Sequence, residues 1–76
     1  MEEYNRKLLD NKNIISENIE QGKKAGVSKV SAVFAIDEKD EVKNKMVNEL
    51  ATWLIQDGYK VSLKQDELKI LVIEWD

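Results

Sequence analysis

The sequence predicts one small α+β domain in which a helix, a strand, a second helix and two more strands follow one another, the order α-β-α-β-β. Three observations predict it. Apolar residues recur at helical spacing in residues 3–21 and again in residues 42–55. From residue 29 they instead alternate with a period of two. Glycines stand where each helical pattern stops. A chain of 76 residues has room for one domain, 1–76.

The first helix is predicted over residues 3–21, with Tyr4, Leu8, Ile15 and Ile19 on one stripe. Residues 10–13 interrupt the pattern with Asp, Asn, Lys and Asn, and Asp and Asn favour caps and turns over helix interiors. We therefore expect either one continuous helix or a break near Asn11 to Asn13. Its end is expected at Gly22 or Gly26.

The alternating segment that follows predicts strand β1, residues 29–36, with apolar side chains on both faces. A second helix is predicted from Asp37 to Asp57, with Asp37 as its N-cap and with acidic residues in its first turn, where the helix dipole favours them. Gly58 ends this helix, because glycine adopts the left-handed cap conformation without steric cost. Its buried stripe is predicted to contain Val42, Met46, Leu50, Trp53 and Leu54.

Two strands complete the domain. Strand β2, residues 59–64, alternates apolar and polar side chains, which is typical of a strand with one buried face. Residues 65–67 form a turn, and strand β3, residues 68–75, is almost continuously apolar, as expected of a central strand. A right-handed crossover from β1 through the helix then predicts a three-stranded sheet of order β1-β3-β2 with both helices on one face.

The register of β3 remains open between two alternatives. In the first, Leu71, Ile73 and Trp75 face away from the helices; in the second, Trp75 turns inward and Ile70 and Val72 face away. Each leaves apolar side chains beside Val33 on the uncovered face, so we expect a homodimer through that face. Trp75 is our preferred anchor, because tryptophan combines a large buried area with few rotatable bonds.

Composition argues against catalysis. The chain contains no cysteine and no histidine, which excludes disulfides, thiolate nucleophiles, imidazole bases and nearly every zinc site. An enzyme would need paired carboxylates or a lysine with a shifted pKa in a cleft, and a three-stranded sheet under two helices offers little depth for one. We expect no catalytic residue, no cofactor and no metal site.

Charge and hydropathy limit the classes of partner and the cellular location that we expect. The formal net charge is −3, from 12 Lys and Arg against 15 Asp and Glu, and an acidic chain is a poor candidate for binding nucleic acid. Two glutamates follow Met1 directly, unlike the start of a signal peptide, and no segment is apolar enough to span a membrane. Together with the absence of cysteine this predicts a cytoplasmic protein.

Two charged motifs have simpler explanations than a ligand site. Gly22-Lys23-Lys24 lacks the upstream glycine and the Ser or Thr of a phosphate-binding loop, although Lys23, Lys24 and Lys29 could still contact an anion. The four acidic residues Asp37, Glu38, Asp40 and Glu41 do not have the spacing of a calcium loop, and helix capping explains them.

Four segments carry a resemblance to a known group of proteins. They are Ile19 to Gly22, Val30 to Ile36, Leu50 to Val61, which contains Gly58-Tyr59-Lys60-Val61, and Ile73-Glu74-Trp75. In these segments the chain resembles a loose group of small bacteriophage proteins, many of them uncharacterised. The resemblance implies a host bacterial cytoplasm and an accessory protein that acts by binding.

Our first functional hypothesis is a non-enzymatic protein-binding module, such as an inhibitor of a host or defence protein. It would bind its partner through Glu38 and Glu41, or through the sheet face with Leu71, Ile73 and Trp75. One alternative is a structural or assembly component of a phage particle. Another is an oligomeric binder of a small ligand such as a nucleotide, with the three lysines named above as anion contacts.

Overall fold

The computed structural model describes residues 2–35 and 39–75. It contains two helices and three strands in the predicted order α-β-α-β-β. Their bounds are α1 Glu2–Ala25, β1 Lys29–Phe34, α2 Glu41–Gln56, β2 Lys60–Gln65 and β3 Lys69–Glu74.

Helix α1 is continuous, so the alternative of a break near Asn11 to Asn13 is wrong. The side-chain amide of Asn11 donates to the backbone carbonyl of Lys7 at 2.9 Å and points at the sulfur of Met46 at 3.4 Å. The polar side chain is therefore used within the helix and against α2, and it does not compete with the helical backbone. The helix ends at Ala25, and Gly26 follows with a positive φ of 81°.

Helix α2 begins later than the sequence predicts, so the expectation of Asp37 as its N-cap is wrong. Asp40 is the cap: its carboxylate accepts a hydrogen bond from the backbone N–H of Lys43 at 3.1 Å. Aspartate at either position offers the same capping oxygen, so the sequence pattern alone could not distinguish Asp37 from Asp40. Asp37 lies outside the described residues. At the other end Gly58 has φ 94°, as predicted.

The sheet has the predicted order β1-β3-β2, and β3 pairs antiparallel with both neighbours. Ile73 lies between Val30 and Val61, and Leu71 lies between Ala32 and Leu63. These two rows of side chains point at the helices.

One hydrophobic core joins the sheet to both helices. Both helices and the central strand contribute side chains that are at most 5 % exposed: Ile15 and Ile19 of α1, Leu50 and Leu54 of α2, and Leu71 and Ile73 of β3. Because all six belong to one cluster, the two helices cover the same face of the sheet, as predicted. Val42, placed in the core by the sequence pattern, lies in the first turn of α2 and is 60 % exposed.

The preferred register of β3 is wrong, and the alternative register is the one found. Leu71 and Ile73 are 0 % and 1 % exposed beneath the helices, so they cannot lie on the uncovered face. Trp75 also turns toward the helices, where its ring meets Tyr59 edge-on with 6.3 Å between centroids. Burial decides the register, because a shift by one residue would move the whole apolar set to the other face.

Candidate functional site

The candidate site is the face of the sheet turned away from the helices, called here the open face. Successive side chains of a strand point to opposite sides, so its residues alternate with those of the core. Three cross-strand rows make it up: Lys29, Glu74 and Lys60; Ser31, Val72 and Ser62; Val33, Ile70 and Lys64. No described helix covers this side, since α1 and α2 both pack on the other.

The apolar part of the open face is small. Val33 is 57 % exposed, Ile70 beside it is partly exposed, and Val72 is only 8 % exposed between its two serine neighbours. Leu68, in the turn before β3, is 43 % exposed. The accessible apolar surface is therefore concentrated at the end of the sheet that carries Val33 and Ile70.

The charge of the open face is opposite to that of the whole chain. It carries the three lysines Lys29, Lys60 and Lys64 against the single carboxylate of Glu74, a net charge of +2 on a protein of net charge −3. The remainder of the chain therefore carries −5. Glu74 stands between Lys29 and Lys60, whereas Lys64 adjoins the apolar end. The face thus combines aliphatic surface with positive charge.

The acidic surface proposed at the start of α2 is only partly described. Glu41 is exposed in the first turn of the helix, and Glu38 lies outside the described residues. Of the sequence-predicted contact residues, Leu71 and Ile73 lie in the core and Trp75 packs against its edge. Sequence reasoning missed Lys60 and Lys64, whose alternation with Val61 and Leu63 was the available signal.

The three lysines considered as anion contacts do not form one site. Lys23 donates to the Tyr59 hydroxyl at 3.4 Å and lies 5.9 Å from the centre of the Trp75 ring, on the helix side of the sheet. Lys24 pairs with Glu20 at 3.7 Å on the surface of α1. Lys29 lies on the open face. The sheet therefore separates Lys23 from Lys29.

A buried lysine was also not foreseen. Lys69 is 8 % exposed on the helix-facing side of β3, and its ammonium donates to the side-chain oxygen of Asn44 at 2.5 Å. Its position two residues before Leu71 is the signal that places it on that side. Burial of an ammonium is costly without a hydrogen-bond partner, so this contact with α2 helps to hold the start of β3 under the helix.

Two surface clefts lie on the helix side of the protein. A groove of about 770 Å³ lies between the outer sides of α1 and α2, and Lys12 and Trp53 contribute to its walls. A second cleft, of about 620 Å³, lies where the start of α1 meets the end of β1, and Tyr4 and Met46 line it. Within residues 2–35 and 39–75 no three acidic side chains come together as a metal site would require.

The hydroxyl of Tyr4 is not satisfied by its surroundings. Its oxygen is buried and has no hydrogen-bond partner of good geometry among the described residues. Burial, followed by the nearby carboxylate of Glu49, raises the pKa of Tyr4 above its usual value of 10.0. The side chain is therefore neutral at physiological pH, and it packs as an apolar ring against the core.

Comparison with known protein families, with curated proteins and with solved structures finds no match. In the part of the chain that the structure describes, no helix combines the length and the apolar character needed to cross a bilayer.

Proposed function

We propose that this protein is a non-enzymatic protein-binding module and that its contact surface is the open face. The observation that carries the proposal is the composition of that face, where aliphatic side chains adjoin three lysines on an otherwise acidic chain. Aliphatic surface supplies affinity when it is buried, and charge complementarity supplies specificity and rapid association.

The preferred partner is a protein with an acidic surface. Lys29, Lys60 and Lys64 lie at three corners of the face, so a partner that covers Val33 and Ile70 also meets at least one lysine. Single-stranded nucleic acid fits less well, because such sites normally offer aromatic rings for base stacking and this face has none among its nine residues.

The resemblance to small bacteriophage proteins supports a more specific form of the proposal. In that form the protein is a phage-encoded accessory protein in the host cytoplasm, and it inhibits a host or defence protein by occupying its acidic surface. A structural component of a phage particle would use the same face against a virion protein. The separation of Lys23 from Lys29 favours both over a nucleotide-binding oligomer.

The test compares two matched triple variants of the immobilised protein in capture from bacterial lysate. The first, Lys29→Glu, Lys60→Glu and Lys64→Glu, reverses the charge of the open face. The control, Arg6→Glu, Lys7→Glu and Lys24→Glu, makes the same change in net charge on the exposed surface of α1. We expect the first to lose the partners seen with wild type and the control to retain them.

One control and two further measurements complete the test. Circular dichroism must show that both triple variants keep the fold. Capture that disappears after nuclease treatment would identify nucleic acid as the partner and contradict the proposal. Capture that survives in the open-face variant but is lost in Glu41→Lys would move the contact to the start of α2.

A further inference from the structure

The two free edges of the sheet are not equally protected against pairing with another strand. Natural edge strands commonly carry lysines that block such pairing. Strand β2 carries Lys60 and Lys64, one near each end, whereas β1 has a single charge, Lys29, at its first residue. The five residues of β1 that follow Lys29 are uncharged, and β-branched or aromatic residues account for three of them.

The backbone of β1 has hydrogen-bonding groups available at this edge. The N–H of Trp75 donates to the carbonyl of Ser28 at 2.9 Å, so these two residues form a hydrogen-bonded pair. Such pairs alternate along an antiparallel ladder. Val30, Ala32 and Phe34 therefore direct their N–H and C=O groups at β3. Lys29, Ser31 and Val33 direct theirs outward, where no described strand pairs with them.

We propose that β1 pairs with β1 of a second copy of this chain, antiparallel and about a two-fold axis at Ser31. The three outward-facing residues are evenly spaced, so this register matches Ser31 with the partner's Ser31 and Lys29 with the partner's Val33. All three then exchange hydrogen bonds, on the order of six in total. The two sheets become one continuous sheet of six strands.

Charge favours this arrangement over a dimer that stacks two open faces. Stacking would bring a surface of net charge +2 against an identical surface. Edge pairing instead places each Lys29 beside a valine, and the two Lys29 residues lie roughly 13 Å apart along the strands, beyond the screening length at physiological salt. The inference does not depend on the proposed function. Pairing through β1 leaves both open faces uncovered on the same side of the joined sheet.

The decisive variant removes one outward donor without touching the ladder to β3. Proline at position 31 lacks only the N–H that points outward, and proline is tolerated on edge strands in that orientation. The matched control is Leu63→Pro. The backbone N–H of Leu63 points away from β3 at the β2 edge, as that of Ser31 does at the β1 edge. Ile70→Lys tests the open face itself. Val33→Lys provides a second block of the β1 edge if Ser31→Pro fails to fold.

Sedimentation equilibrium from micromolar to millimolar concentration measures the result. We expect wild type, Leu63→Pro and Ile70→Lys to reach twice the chain mass of 8.8 kDa, and folded Ser31→Pro or Val33→Lys to remain at the single-chain mass. A wild type that stays at 8.8 kDa throughout overturns the proposal. Loss of the dimer in Ile70→Lys with its retention in Ser31→Pro also overturns it, because the open face would then be the interface.

Amide hydrogen exchange gives an independent reading on wild type alone. Dimerisation through β1 should slow exchange at Lys29, Ser31 and Val33 as concentration rises. The outward amides of Val61 and Leu63 on β2 should exchange at the same rate throughout. Protection that appears at β2, or at neither edge, contradicts the proposed pairing.

Discussion

At the scale of single residues, one glycine is present for packing and not for its backbone conformation. Gly22 lies inside α1 and is buried. A methyl group there would lie 3.0 Å from the far end of the Trp75 ring and 3.0 Å from a methyl of Val30. Trp75 therefore lies close against the helix only because position 22 has no side chain.

Gly22→Ala should destabilise the protein by about 1 kcal/mol, measured by urea denaturation. Overpacking at a filled site costs roughly 1–3 kcal/mol, and the better helix propensity of alanine returns about 1 kcal/mol. In a Trp75→Phe background the cost should shrink, because phenylalanine lacks the ring atom that lies closest. A cost of the same size in the wild-type and Trp75→Phe backgrounds would show that Trp75 does not pack here.

Gly26→Ala is the matched control for that experiment. Its φ is 81° and no atom lies within 4 Å of the added methyl, so its cost comes from backbone strain alone. That cost should be the same in the wild-type and Trp75→Phe backgrounds. A change of equal size for both glycines would mean that Trp75→Phe acts on the whole helix.

At the scale of elements, the N-terminal cap of α2 can be tested directly. Asp40→Ala should cost about 1 kcal/mol, because the backbone N–H of Lys43 then loses its acceptor. Asp40→Asn keeps a capping oxygen and removes only the charge, so most of the stability should remain. The exposed ion pair between Lys43 and Asp40, at 4.0 Å, adds little. Thermal and urea unfolding of the three proteins measure the difference, and equal stability of Asp40→Ala and wild type would contradict this cap.

Element order and strand order could be predicted from the sequence, because hydrophobic period, glycine position and crossover chirality all favour one arrangement. The register of β3 could not. Both faces of that strand carry aliphatic side chains, so alternation gave no preference between Leu71 with Ile73 and Ile70 with Val72. The sides of the sheet on which Lys69 and Glu74 lie depend on that register, and they became visible only with the fold.

At the scale of the whole molecule, the sheet divides the protein into two unlike sides. One side holds the core and both helices. The other side is the open face, whose net positive charge is opposite to that of the rest of the protein. A domain of 76 residues buries little surface relative to its length, so it gains more from association than a larger domain does. Pairing along β1 would supply that stability and leave the open face free.

The thermal midpoint of unfolding should therefore rise with protein concentration, because mass action stabilises a folded dimer against unfolded monomers. Trp53 and Trp75 both pack against the core, so tryptophan fluorescence reports the transition. In Ser31→Pro the midpoint should be lower and independent of concentration, since only the single chain remains to unfold. Leu63→Pro should keep the concentration dependence of wild type. If wild type and Ser31→Pro show the same constant midpoint at every concentration, association contributes nothing to stability and the core alone holds the fold.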